Sequence, residues 1–227
     1  MKNNFLLSIV VPVFNEQETI KKILEKIRKT KYRKEIIVVN DGSSDSTEKI
    51  LKNEKKIIVI NLKRNYGKGY ALKKGIAKAQ GDLILIQDAD LEYDPKDYQK
   101  LVEPIIKGKT KVVYGSRFKR KSKEMFFTQW FANRFLTITT NLLFGTSITD
   151  METGYKVFTK EVIKKINWRS KRFDFEAEVT AKVLKSKNKI YEVAITYKSR
   201  KYEEGKKISW VDGLVALKTL FWYRFFN

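Results

Sequence analysis

Short apolar runs alternate with amphipathic stretches along the first half of the chain. Ser8 to Val13 is a β-branched apolar run that reads as a buried strand, and Gln17 to Lys29 follows with Ile20, Ile23, Leu24 and Ile27 at helical spacing. Glu35 to Asn40 is a second buried strand, ended by the turn-rich Asp41-Gly42-Ser43-Ser44-Asp45. A short helix to about Asn53, a third strand over Lys56 to Leu62 and a helix over Gly69 to Ala79 come next. Asp82 to Gln87 forms a fourth strand, Lys96 to Ile106 a helix, and Val112 to Gly115 a closing strand. Strands apolar on both faces that alternate with helices predict an α/β fold, a parallel sheet covered on both sides. Such sheets bind ligands beyond the carboxyl ends of their strands, where the polar, Gly-rich and acidic clusters of this chain fall.

The pattern changes after Gly115. A basic stretch, Arg117 to Lys123, leads into a long amphipathic segment, Phe126 to Phe144, broken by Gly145. Asp150 to Phe158 reads as a loop with a short strand, Lys160–Ile166 and Phe175–Lys185 as helices, and Ile190 to Tyr197 as a further strand. The tail from Trp210 to Phe226 spaces Trp210, Leu214, Leu217, Phe221 and Phe225 along one helical face. No stretch reaches the roughly 18 uninterrupted apolar residues of a membrane span. The apolar start runs directly into patterned sequence without a small-residue cleavage region, so a first strand is expected there and no signal peptide. With no repeat, low-complexity tract or linker, a single domain over 1–227 is expected.

Composition narrows the chemistry. The 227 residues contain neither Cys nor His, which removes thiolate and imidazole metal sites, disulfide frameworks and every Ser-His or Cys-His nucleophile. Catalysis is left to carboxylates, hydroxyls, amides, Lys, Arg and a borrowed cation. The 48 Lys and Arg against 26 Asp and Glu leave +22, a charge suited to an anionic partner.

Four clusters carry candidate chemistry. Asp88-Ala89-Asp90 directly follows the apolar run 82–87, and two carboxylates two residues apart at a sheet mouth can share one hard divalent ion. That ion would neutralise a diphosphate leaving group; the plain alternative is a solvated acidic turn. Glu92 either adds a third oxygen ligand or is a surface carboxylate. Asp41 to Thr47 reads as a helix cap at Asp45 or Ser46, with Asp41 placed to meet a base or ribose. Pro12-Val13-Phe14-Asn15-Glu16 would wall the same crevice, although Glu16 equally suits a helix first turn. Arg64 to Gly69 puts glycines beside a lysine, yet Leu72 breaks a dinucleotide fingerprint, and Glu103 breaks a P-loop ending at Gly108-Lys109-Thr110.

In that order PVFNE, VVNDGSSDST, RNYGKGYA, the DAD, YGSRF and TDMETGYKVF resemble family 2 glycosyltransferases of the GT-A (Rossmann-like) fold. The likeness spans about residues 7 to 207 and is greatest to dolichyl- or polyprenyl-phosphate mannosyl- and glucosyltransferases. It implies a nucleotide-sugar-binding half over 1–115, an acceptor-binding half over 116–207 and an amphipathic membrane-associating tail over 208–227. Pro12, Phe14, Glu16, Asp41, Asp88 and Ala89 would bind the nucleotide sugar, joined by Arg200 and Lys206 at its diphosphate. Asp88, Asp90 and Glu92 would hold Mg2+ or Mn2+, Glu92 standing where many relatives have Gln. Arg117 and Arg134 would bind the acceptor phosphate and, with Asp90, form the catalytic set.

The implied reaction is inverting transfer of a hexose, mannose ahead of glucose, from GDP-mannose or UDP-glucose to dolichyl or polyprenyl phosphate. A phosphate monoester is already anionic, so little base catalysis is needed, and arginine forks would offset the repulsion between two anions. The basic surface and aromatic helices fit a peripheral protein on the cytoplasmic face of an anionic membrane, with a membrane-protein partner left open. Two other readings stand beside it. Transfer to a saccharide hydroxyl would need a base, with Asp150 or Glu152 the candidates. A basic nucleic-acid-binding protein is disfavoured by the acidic cluster, and no nucleic-acid partner is expected.

Overall fold

The computed structural model describes residues 5–119, 126–200 and 210–226. Seven strands form one sheet in the order β3-β2-β1-β4-β6-β5-β7. The strands are β1 Leu7–Val13, β2 Lys34–Asn40, β3 Ile58–Asn61, β4 Leu83–Ile86, β5 Val112–Ser116, β6 Lys156–Thr159 and β7 Ile190–Ala194. The chain lays β2 and β3 to one side of β1, then crosses over to place β4 on its other side, all four parallel. The carboxyl ends of β1 and β4 therefore flank a topological switch point, where a parallel sheet opens a crevice.

The expected parallel arrangement holds for four of the six strand pairings and is unbroken only up to β4. Strand β6 inserts between β4 and β5 and runs antiparallel to both, while β7 adds parallel to β5. The loop-with-strand at 150–158 thus supplies an interior strand rather than an edge. The last strand is also shorter than its apolar run: after Ala194 the ladder ends, and Tyr197 makes an isolated bridge to Tyr93.

Alternation of side chains along β1 divides the core. Val10 packs with Ile37, Val39, Ile84 and Ile86 under α3 (Lys68–Lys78) and α7 (Phe175–Lys185). Leu7, Ile9 and Val11 pack on the opposite face under α1 (Ile20–Arg28) and α4 (Tyr98–Ile106). Two short helices, α2 (Thr47–Lys52) and α6 (Lys160–Lys165), complete the cover.

The two aromatic helices, α5 (Phe127–Phe144) and α8 (Trp210–Phe225), pack on each other, and α8 also packs on α7. Helix α5 is inverted: its buried positions Asn133, Leu136, Thr137 and Thr140 follow i, i+3, i+4, i+7 spacing and are mostly polar. Thr137 Oγ1 accepts from Met151 N–H at 3.2 Å, and the Asn141 amide brackets Ile148 through N–H at 3.1 Å and C=O at 2.8 Å. The polar face is therefore used to hold the 148–151 loop. Phe127, Trp130, Phe131, Phe135, Ile138 and Leu142 face outward, with Leu142 81% exposed. Helix α8 buries Ala216, Leu220 and Tyr223 and exposes Leu214, Phe221, Trp222 and Phe225. No helix among the described residues is long and apolar enough to cross a membrane.

Candidate active site

A cavity of about 420 Å³ opens at the switch point, and Pro12, Phe14, Glu16, Asp41, Asp88 and Ala89 all line it. Asp90, Glu92, Arg117 and Arg200 line it as well, so ten of the residues singled out in the sequence share one wall. Arg134 is not on that wall, and Lys206 lies outside the described residues.

The β1 and β2 ends are stapled together. Asn15 takes a left-handed φ of 51°, its N–H donating to Ser43 Oγ at 3.0 Å while its side-chain oxygen accepts from Ser44 N–H at 2.8 Å. Ser46 is the N-cap of α2 but makes no side-chain cap bond; Asp45, one residue earlier, accepts from the Thr47 N–H at 2.9 Å. Asp41 also anchors a loop. Its two oxygens accept the backbone N–H groups of Tyr66 at 2.8 Å and Gly67 at 2.7 Å, drawing the Arg64–Gly69 loop onto the site. Burial outweighs those bonds and raises its carboxyl above the ordinary value. Gly67 sits at φ 98°, and a Cβ there would meet Lys171 O at 2.4 Å, so only glycine fits.

That loop delivers Lys68, whose ammonium lies 2.9 Å from both Asp88 and Glu176. Burial alone would lower it, but the two carboxylates outweigh burial and hold it well above its usual value. After the DAD, Leu91 adopts φ 65°, a strained turn for a non-glycine residue, and Glu92 N–H folds back on Asp90 Oδ1 at 3.1 Å. Burial, then the charges of Asp88 and Glu92, push the Asp90 carboxyl up to about 7. A hard divalent cation beside Asp88 and Asp90 would relieve that crowding. The described residues do not preassemble a three-carboxylate cage, because Glu92 is engaged elsewhere. Its oxygens accept from Tyr197 OH at 2.9 Å and Arg200 N–H at 2.8 Å. The Arg200 guanidinium meanwhile pairs with Glu16, Nη1 donating to Oε1 at 3.1 Å.

Arg117 is buried and forked onto Asp150, with Nε and Nη2 each 2.7 Å from a carboxylate oxygen. The Asp150 charge outweighs burial and holds the guanidinium well above its usual value. Asp150 is fully buried in this fork, which makes it the partner of Arg117 and removes it as an exposed base. Arg134 sits one ring away: its guanidinium lies 5.6 Å from the Phe118 ring, against 5.9 Å for Arg117 on the same ring. Both cations thus share one ring, Arg134 also reaching Thr149 O at 3.4 Å.

Sequence reasoning missed Lys68, Glu176 and Tyr197 as participants. Only the GKG glycines hinted at the first, while Glu176 lies on α7, far along the chain from every motif at the sheet mouth.

Fold and cavity together are those of a GT-A-type transferase, with acidic residues gathered at the switch point of the sheet. The chain matches the model of glycosyl transferase family 2 over residues 8–167, and it belongs to that family. It is 32% identical over 213 residues to the UDP-N-acetylglucosamine–dolichyl-phosphate N-acetylglucosaminyltransferase of Methanococcus voltae, with 84% of each chain covered. It is 32% identical to the dolichyl-phosphate beta-glucosyltransferase of Dictyostelium discoideum, covering 86% of this chain and 67% of the other. Among solved structures, glucosyl-3-phosphoglycerate synthase from Mycobacterium tuberculosis, in complex with Mn2+, UDP and glucosyl-3-phosphoglycerate, superposes with a TM-score of 0.76. That likeness covers 97% of this chain and 80% of the other at 19% identity, and it establishes the GT-A fold. The protein is a glycosyltransferase.

Proposed function

We propose that the protein is an inverting glycosyltransferase that moves a hexose from a nucleotide sugar to a dolichyl or polyprenyl phosphate at a membrane surface. The observation that carries the reading is that Arg117, which lines the acidic cavity, and Arg134, carried by α5 with its exposed apolar side chains, meet over one Phe118 ring. A phosphate headed by an isoprenoid chain needs those three environments in that order. The relatives described above act on dolichyl phosphate, which supports the same acceptor. They carry N-acetylglucosamine and glucose, so a gluco-configured sugar on UDP is the donor these names favour over mannose on GDP.

In this reading Pro12, Phe14 and Glu16 form the nucleotide wall, with Asp41 holding the loop that closes it. Asp88 and Asp90, with Glu92 once released from Tyr197, would hold Mg2+ or Mn2+; Ala89, Arg200 and Lys206 would lie along the diphosphate. The cation, when bound, supplies positive charge to the departing diphosphate. Arg117 presents its remaining amino group to the acceptor phosphate, oriented by the Asp150 fork, and Arg134 contributes a second cation. Holding the phosphate dianion against the anomeric carbon replaces base catalysis, since no proton has to leave the nucleophile. Tyr93, buried beneath the site, accepts the Gly154 N–H at 2.9 Å, fixing the loop that faces Asp88.

The exposed faces of α5 and α8 would lie in the membrane interface, a peripheral attachment assisted by the +22 charge at an anionic leaflet. The test is an acceptor panel: polyprenyl phosphate against free saccharides, with labelled UDP- and GDP-sugars and Mn2+ or Mg2+. Lipid-linked sugar as the product supports the proposal; transfer to saccharides with none to lipid phosphate refutes it. Arg117→Ala and Arg134→Ala are expected to weaken use of the lipid acceptor more than nucleotide binding.

A further inference from the structure

The cavity wall carries seven carboxylates against Lys68, Arg117, Arg172 and Arg200. Most of those carboxylates are already engaged: Asp41 by two backbone N–H groups, Asp88 by Lys68, Glu92 by Tyr197 and Arg200, and Glu16 by Arg200. Two oxygens are different. Glu152 Oε1 and Glu176 Oε2 are buried and have no hydrogen-bond partner among the described residues, and both side chains line the cavity. Buried acceptors in native proteins are nearly always paired, so a pair of orphans on one cavity wall marks where a ligand's donors go.

Their position says which part of the ligand. Lys68 joins Glu176 to Asp88 with 2.9 Å contacts to each, so Glu176 is one ammonium away from the DAD. The loop that carries Glu152 presses on the same aspartate: a Cβ on Gly154 would lie 2.2 Å from Asp88 Oδ2. Both glutamates therefore line the cavity near Asp88 and, in the reading above, beside the sugar that follows the diphosphate.

We infer that Glu152 and Glu176 bind the hydroxyl groups of the transferred sugar and restrict the donor to uncharged sugars, excluding uronic acids. This inference rests on the nucleotide-sugar reading above. Sugar hydroxyls supply O–H donors to both oxygens, whereas a uronic acid brings a carboxylate with no donor. The charge already present opposes a further anion: burial, followed by the charge of Glu176, pushes the Glu152 carboxyl up to about 8. The nearby Lys68 has its charge committed to Asp88 and Glu176. Lys156 is also buried here but donates to Met151 O at 3.1 Å and to Thr153 O, away from the cavity.

The experiment compares donors that differ only at C6: UDP-glucose with UDP-glucuronic acid, and GDP-mannose with GDP-mannuronic acid. Affinities come from titration calorimetry with Mn2+, with UDP and GDP as references, and rates from transfer to polyprenyl phosphate. Wild type is expected to prefer the neutral donor of the pair it uses by a hundredfold or more in affinity. Glu176→Gln should narrow that ratio at least tenfold. Glu152→Ala should weaken the neutral donor about tenfold while leaving the bare nucleoside diphosphate as it was. Wild-type discrimination below threefold overturns the inference, as does a Glu152→Ala enzyme that keeps donor affinity and loses only kcat, the mark of a base. If no donor yields lipid-linked product, the acceptor reading fails while the affinity ratio still decides the sugar site.

Discussion

Helix α5 offers a perturbation whose size is set by the structure. Phe127, Phe131 and Leu142 are 76%, 60% and 81% exposed. Full burial of such a side chain contributes about 2 kcal/mol, so the exposed fractions correspond to about 1.5, 1.2 and 1.6 kcal/mol. Moving all three from water into a bilayer interface thus contributes up to about 4 kcal/mol, which is about a thousandfold in partitioning. The triple variant Phe127→Ser/Phe131→Ser/Leu142→Ser should lose most of its binding to zwitterionic vesicles in a co-sedimentation assay at high salt, where charge attraction is screened. Because none of the three supports the core, its melting temperature should stay within about 5 °C of wild type. Unchanged sedimentation would refute the interfacial role of α5. A collapse in melting temperature would show that the outward ring is packed, and the inverted amphipathicity would then have a structural cause. Deleting α8 would be a poorer test, since Ala216, Leu220 and Tyr223 belong to the core.

Asp90 makes metal binding pH-dependent: a carboxyl pushed up to about 7 holds a proton that competes with the cation. Mn2+ affinity by calorimetry should be full above about pH 8 and fall about tenfold per unit below 7, and Asp90→Asn should remove that slope. In the metal-free protein the same raised carboxyl stabilises the fold at acid pH and loses that contribution as pH rises toward 7. Asp150→Asn leaves the buried Arg117 charge without its fork and should destabilise by about 3–5 kcal/mol, read as a drop of about 10 °C in melting temperature. A drop under about 3 °C would show that the pair contributes little. Gly154→Ala forces a methyl against Asp88 at 2.2 Å and the Tyr93 ring at 3.0 Å, so Mn2+-UDP affinity should fall at least tenfold; retained affinity would mean that Asp88 has room to move.

The legible part of the site was the part written in contiguous motifs. The DAD, the β1 end and the Asp41 turn could be placed together because each follows a strand whose apolar run is unmistakable, and a parallel sheet gathers its strand ends. What those residues do with their hydrogen bonds was not legible. Asp41 reads in the sequence as a ligand-binding aspartate, and only the arrival of Tyr66 and Gly67 shows that its oxygens also anchor a loop. Asp150 looked like a base because nothing nearby in sequence neutralises it; its partner Arg117 belongs to another strand end.

By itself, the amino-acid sequence determined the alternating α/β order, the absence of thiol and imidazole chemistry and the aromatic character of two helices. These follow from composition and from periodicity within single segments. Tertiary structure decided where β6 enters the sheet, which face of α5 turns outward, and the convergence of Lys68, Glu152 and Glu176 beside Asp88. Each of those depends on contacts between segments distant in the chain, and an antiparallel insertion or an inverted helix leaves no mark on local periodicity. The orphan carboxylate oxygens belong to that second group, because burial and lack of a partner are properties of the packed molecule alone.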